Sequence, residues 1–288
     1  MTKNNENESI ERVWDFGIGF GYGNSSNPFV GSDDIPNHIT LDVSIYGKRF
    51  FFDNGELGFT IVDKANFGIN IIGTYNSERI YYSFLNDIGI NLISSEAGLS
   101  IAGNNPLAVI SDNSVLTSLP DIVPLEPGLN PFAFGNVFAP FSIPDKDLAV
   151  NLGLEMLYNT DYGNFSLQAT KDASNTHLGA DMIFEFSKSW QRNQWRFSSI
   201  VGGHWKSSRL LNYYYGVDRQ SNPYFDLNYQ PKSGIDTFIN LVANYRLTNH
   251  LSLVASIKHT NLSSSIKNSP IINESSKSIV FTGLYYRF

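Results

Sequence analysis

The final twelve residues, KSIVFTGLYYRF from Lys277 to Phe288, restrict what this chain can fold into more than any other stretch. Side chains alternate across a strand with period two. Leu284, Tyr286 and Phe288 therefore share one face, and the same face runs back through Thr282 and Val280. A water-soluble sheet gains little from bare aromatics on its last strand. A strand that faces lipid does gain, because aromatic rings sit well where hydrocarbon meets headgroups.

The same arrangement recurs along the chain. In residues 13–23, Trp14, Phe16, Ile18, Phe20 and Tyr22 take one face, while Asp15, Gly17, Gly19 and Gly21 take the other. From about His38, Ile39, Leu41, Val43 and Ile45 alternate with Thr40, Asp42 and Ser44. Beyond Asp147, Leu152, Leu154 and Met156 oppose Asn151 and Glu155, and Phe165 and Leu167 oppose Ser166, Gln168 and Thr170. Met182, Phe184 and Phe186 then oppose His177, Asp181 and Glu185, and Trp195, Phe197, Val201 and Trp205 oppose Arg196 and His204. Strands around Ile235 and Leu251 carry Asp236 and Lys258 on the polar side. Large apolar residues on one face, with polar or small ones on the other, suit a closed barrel with grease outside and a polar lumen. The expected fold is all-β, a closed antiparallel transmembrane β-barrel. Seven strands from 147 to the end and five before them give about twelve, with ten as the alternative. The lumen-facing polar set is Asp15, Asp42, Glu155, His177, Asp181, Glu185, Arg196, His204, Asp236 and Lys258.

Composition agrees. Charged residues are 16% and aromatics 14%, where soluble domains carry roughly 25% charge. A net charge of −7 argues against nucleic acid, which calls for a basic face. No run approaches the ~18 apolar residues of a spanning helix, so a membrane reading is a barrel reading. The chain has no cysteine, which excludes disulfides and thiolate metal sites. Residues 1–12 are polar, lack an apolar leader core and read as a flexible tail, so numbering is expected to begin near a mature end with Met1 added. Residues 13–288 then form a single barrel.

Short turns alternate with long loops, as when one rim faces the periplasm. With both termini periplasmic, the turns at 159–163, 189–194 and 247–250 lie inside and the loops at 207–234 and 262–276 outside. The stretch at 84–146, rich in Pro, Gly and Asn, has no sustained period. It is either an external excursion or a segment folded into the lumen.

Several pieces together resemble the MipA/OmpV family of MltA-interacting outer-membrane proteins. They are the Trp14 strand, Asn27-Pro28-Phe29-Val30-Gly31-Ser32-Asp33, Ile45-Tyr46-Gly47 with Arg49-Phe50-Phe51-Phe52, and Gly55-x-Leu57-Gly58. His177-Leu178-Gly179, Tyr213-Tyr214-Tyr215-Gly216-Val217 and Asn268-Ser269-Pro270-Ile271-Ile272 follow. The ending, through Gly283, Tyr286 and Phe288, resembles the signal by which outer-membrane barrels are recognised for assembly. The resemblance covers most of residues 13–76 and 147–288. It implies a bacterial outer-membrane location among lipid and lipopolysaccharide. It also implies a non-enzymatic scaffold joining a murein transglycosylase to a murein synthase, with a porin or surface adhesin as the alternative.

A lipid-modifying enzyme is the third reading, since His177, Asp181, Glu185, Arg196 and His204 come from neighbouring strands. No Gly-x-Ser-x-Gly nucleophile motif accompanies them. The five histidines lack metal-ligand spacing, so no catalytic residue, metal or cofactor is expected. Tyr213–Tyr215, with Tyr224 and Phe225, are expected at a strand top in an interfacial girdle. Asp33, Asp34, Asp145 and Asp147 read as solvated loop charge.

Overall fold

The computed structural model describes residues 13–76, 78, 146–218 and 228–288. The polar tail at 1–12, most of the insertion at 84–146, and Tyr224 and Phe225 lie outside the described residues. Twelve antiparallel strands close a barrel. They are β1 (Val13–Ser25), β2 (Ile35–Tyr46), β3 (Phe50–Asp53), β4 (Glu56–Lys64), β5 (Phe67–Tyr75) and β6 (Val150–Thr160). The remainder are β7 (Gly163–Asp172), β8 (Ala180–Arg192), β9 (Trp195–Lys206), β10 (Gly234–Arg246), β11 (Leu251–Asn261) and β12 (Ser276–Arg287). Helices α1 (Ser208–Tyr215) and α2 (Ser264–Lys267) follow β9 and β11.

Each strand pairs with its sequence neighbour, and β1 closes on β12 with Gly17 opposite Arg287 and Ser25 opposite Ile279. Both chain ends thus lie at one rim, where the connections are short: 47–49, 65–66, 161–162, 193–194 and 247–250. The long connections occupy the other rim. Closure removes every full-length sheet edge, the condition for β-structure in hydrocarbon.

The alternation read from the sequence governs the faces. Trp14 is 64% exposed and Tyr22 70%, whereas Asp42 and Glu155 are 3% and 1% exposed. Rings cluster near the short-turn rim: Trp195 stacks on Phe197 at 5.5 Å and meets Tyr245 at 4.8 Å. Phe288 lies 4.9 Å from both Phe16 and Tyr286. Such a belt is the aromatic girdle of a transmembrane barrel.

Several sequence boundaries move. Strand β2 begins at Ile35 rather than near His38, because Asn24 and Asn27 both donate to Asp34, at 2.7 and 3.2 Å, and shorten the loop. Asp34 is therefore a loop brace. The turn expected at 189–194 contracts to 193–194, with Asn193 at φ +55°. His177 precedes β8 instead of lying on it, since Asp172 accepts from the backbone N–H groups of His177 and Leu178 and folds 173–179 into a loop.

The loop after β9 departs furthest from expectation. Tyr213–Tyr215 are on α1, not at a strand top in the girdle. The Ser207 side chain caps the helix by accepting from Leu210 N–H, and also accepts from Ala180 N–H at 2.9 Å. Leu210, Leu211, Tyr214 and Tyr215 then pack against Phe29, Leu262, Ile266 and Ile272. This apolar plate joins three connections at the long-loop rim. The helix forms because its apolar residues follow a helical period, and this packing stabilises it.

Candidate functional site

The barrel interior is a column of polar side chains placed there by strand parity. Near the short-turn rim Asp15 meets Arg287, with Nε 2.7 Å from Oδ1. Above it, Asp42 accepts from Tyr285 Oη at 2.8 Å and from Asn54 Nδ2 at 2.9 Å. Asp53 accepts from Tyr46 Oη and Asn54. Across the lumen Glu155 accepts from Asn70 at 2.7 Å, and Gln168 bridges Glu155 to Glu56 at 3.1 and 3.0 Å.

Glycines make room for these contacts. A Cβ on Gly17 would lie 1.9 Å from Tyr285 Oη, so only glycine lets that tyrosine cross to Asp42. The Asn54-Gly55 turn has φ of +48° and +98°, the paired left-handed conformation of a two-residue hairpin.

On the opposite wall Asp181 is hydrogen-bonded to His204 Nε2 at 3.0 Å and accepts from Thr170 Oγ1. The hydroxyl is thereby committed to the carboxylate, so it is not poised on the imidazole as a nucleophile. Nearer the long-loop rim, Lys206 Nζ bonds Glu78 and lies 2.9 Å from Asp236. Tyr215 Oη donates to Glu78 as well, and Asp236 accepts from Ser263 N–H at 2.7 Å. Burial pushes the Glu78 carboxyl up, but the Lys206 and Lys277 ammoniums and Tyr215 override it and hold it well below the ordinary glutamate range.

His177 Nδ1 accepts from Gly179 N–H at 2.9 Å. That nitrogen carries no proton, so the ring is neutral and its 3.9 Å approach to Asp172 is not an ion pair. Burial lowers the His177 pKa in agreement.

Asp15, Asp42, Glu155, Asp181, Glu185, His204, Asp236 and Lys258 all lie on inward positions and are buried. Arg196 shares their parity but not their level. It is half-buried, paired with Gln191 beside the short-turn rim, eight residues below His204. At roughly 3.3 Å per residue that removes it from the cluster with His177, Asp181, Glu185 and His204. Asp53, Glu56 and Lys206 were missed. Lys206 has the parity of His204 and could have been found from it, whereas Asp53 and Glu56 flank a turn that hid their strand parity. Glu78 had no local signal. Among the described residues no group of three or more His, Asp or Glu could hold a metal ion.

A cavity of about 30 Å³ is lined by Glu185, His204, Lys206, Asp236 and Lys258 among others, room for about one water.

An apolar-clad, twelve-stranded cylinder with hydrogen-bonded charge inside defines a β-barrel membrane protein. The model of the MltA-interacting protein MipA family matches residues 17–288, and the chain belongs to that family of outer-membrane proteins. It is 23% identical over 147 residues to the MltA-interacting protein of Escherichia coli K12, covering 51% of this chain and 59% of that one. It is 27% identical to a 24 kDa outer membrane protein of Pasteurella multocida, with the same shares covered. The chain thus spans somewhat over half the length of these curated relatives. Among solved structures it is similar over 96% of its length to OmpTdeltaL8, a loop-deletion mutant of Vibrio cholerae OmpT. That match has 8% identity, 99% coverage of that chain and a TM-score of 0.36. OprG of Pseudomonas aeruginosa gives 7% identity, 97% coverage of that chain and a TM-score of 0.24. These superpositions are loose.

Proposed function

We propose that this barrel is a non-enzymatic outer-membrane anchor that presents a docking surface to murein-remodelling enzymes. The partners are a murein transglycosylase and, through it, a murein synthase. The observation that carries the reading is the cross-linked interior: among the described residues Lys206 pairs with Glu78 and Asp236, Arg287 pairs with Asp15, and Asp42 and Glu155 are held by Asn, Gln and Tyr, which favours a rigid platform. Family membership and the name of the Escherichia coli relative support the partner class. Termini in the periplasm follow if the five short turns face inward, which puts the girdle around Trp195 and Phe288 at the inner interface. Lipid and lipopolysaccharide then surround the wall.

The test is co-purification of the detergent-solubilised barrel with a purified periplasmic transglycosylase. Retention above an unrelated barrel of equal size is expected, and retention equal to that control overturns the reading. Planar-bilayer recording separates the channel alternative, for which discrete openings would be required. The enzyme alternative predicts altered lipid A or phospholipid composition in His204→Ala cells, and none is expected here.

A further inference from the structure

Charge differs sharply between the two rims. At the short-turn rim, Lys48 and Arg49 lie in the 47–49 connection, Lys64 ends β4, Lys188 and Arg192 lie toward the end of β8, and Arg246 ends β10. All of them are exposed. None makes a side-chain ion pair or hydrogen bond among the described residues. The carboxylates exposed at this rim, among the described residues, are Asp63 and Asp161. The long-loop rim is mixed, with exposed Asp33, Asp34 and Glu274 set against Lys171, Arg209 and Lys267. In a chain of net charge −7, a cationic rim runs against the composition.

These cations are spread round the mouth of the barrel. With strands about 4.8 Å apart and tilted by about 40°, a twelve-stranded ring is roughly 24 Å across. One exposed ion pair contributes little, so a lone carboxylate gains little from any of them. A partner that engages several at once gains by avidity. Position narrows its form. A protein interface packs around an apolar centre, whereas the centre of this ring is the lumen mouth, where Arg287 grips Asp15. Bilayer headgroups reach cations that turn outward, but Arg246 has the inward parity of buried Asn240 and Val242. Lys48 and Arg49 stand in a turn between strand ends. What fits is an extended polymer that carries carboxylates at intervals and lies across the mouth. The planar guanidinium of Arg matches a carboxylate with two parallel hydrogen bonds.

We propose that the short-turn rim binds murein itself, through the carboxylates of its peptide stems. The barrel then holds the substrate polymer of the enzymes it docks. Such contact requires the periplasm-facing orientation of the short turns adopted above, and not the docking of any enzyme.

Co-sedimentation of the purified, detergent-solubilised barrel with insoluble murein sacculi tests it. Binding is expected in about 0.05 M salt and should fall several-fold in about 0.5 M, where the screening length is about threefold shorter. Lys48→Gln/Arg49→Gln combined with Lys188→Gln/Arg192→Gln should weaken binding several-fold. Lys171→Gln/Lys267→Gln, on the opposite rim, should bind as the wild type does. Each variant is first checked for the heat-dependent gel shift of a closed barrel. Sacculi with amidated carboxylates make the same comparison with unaltered protein, and should not bind. Salt-insensitive binding, equal binding of amidated sacculi, or undiminished binding by the first variant would each overturn the site. Displacement of murein by phosphatidylglycerol added to the micelle would assign the cations to the inner leaflet instead. Binding that appears only after removal of residues 1–12 would assign them to Glu6, Glu8 and Glu11 of the chain itself. Murein binding without retention of a transglycosylase overturns the docking role and leaves this site standing; retention without murein binding does the reverse.

Discussion

At the scale of single residues, the interior depends on pairing, since an unpaired buried charge costs far more than a paired one contributes. Lys206 is the clearest case, because its ammonium serves Glu78 and Asp236 together. Lys206→Ala is expected to destabilise the barrel by about 3–5 kcal/mol, measured as a lowered urea midpoint in detergent. Glu78 adds a pH dependence whose sign is fixed. Its folded pKa lies below the unfolded value near 4.5, so its stabilisation is complete above that pH and is lost on acidification. Glu78→Gln should flatten the acid limb of the stability curve below about pH 4.5. A different expectation attaches to Gly17. Gly17→Leu displaces Tyr285 from Asp42, for a cost of about 1–3 kcal/mol, read from the same urea curves. Tyr285→Phe should leave little further loss in the double variant.

At the scale of elements, α1 shows how a short helix outside the sheet becomes structural. Leu211 is fully buried in the plate that includes Phe29 and Ile266. Leu211→Ala is expected to cost about 2–5 kcal/mol locally without opening the cylinder, whose ladder bonds lie elsewhere. Limited proteolysis should cut the 207–233 connection sooner while the heat-dependent gel shift is retained. Loss of both together would place α1 inside the cooperative unit of the barrel. The β3–β4 hairpin shows the opposite economy. Asn54 and Gly55 were legible as a tight turn, and the turn forms. Its position halfway up β2 was not legible, because the height of a hairpin depends on register with strands far away in sequence.

At the scale of the whole molecule, closure depends on β1 meeting β12. Phe288 N–H donates to Phe16 O at 2.9 Å, the two rings pack, and Arg287 grips Asp15. We expect removal of Phe288 to lower the fraction of heat-shifting, membrane-inserted protein in cells several-fold, as an assembly signal requires. In vitro refolding into micelles should change less. An equal loss in both would reduce Phe288 to a packing residue.

The sequence by itself determined the wall and its polarity. Period-two alternation is local, so Leu152 against Glu155, or Val43 against Asp42, declared its face without knowledge of the fold, and the seven such segments after Asp147, with five before them expected from an even count, gave about twelve strands, with ten as the alternative. Tertiary structure alone decided which inward residues meet. Parity sends Arg196 and His204 to the same lumen, but strand level separates them. Lys206 joins Glu78 and Asp236 only because closure brings β9, β10 and the entry of the long insertion together. The height of the β3–β4 hairpin has the same origin, since shear around a closed barrel is a property of all twelve strands at once and is written in none of them.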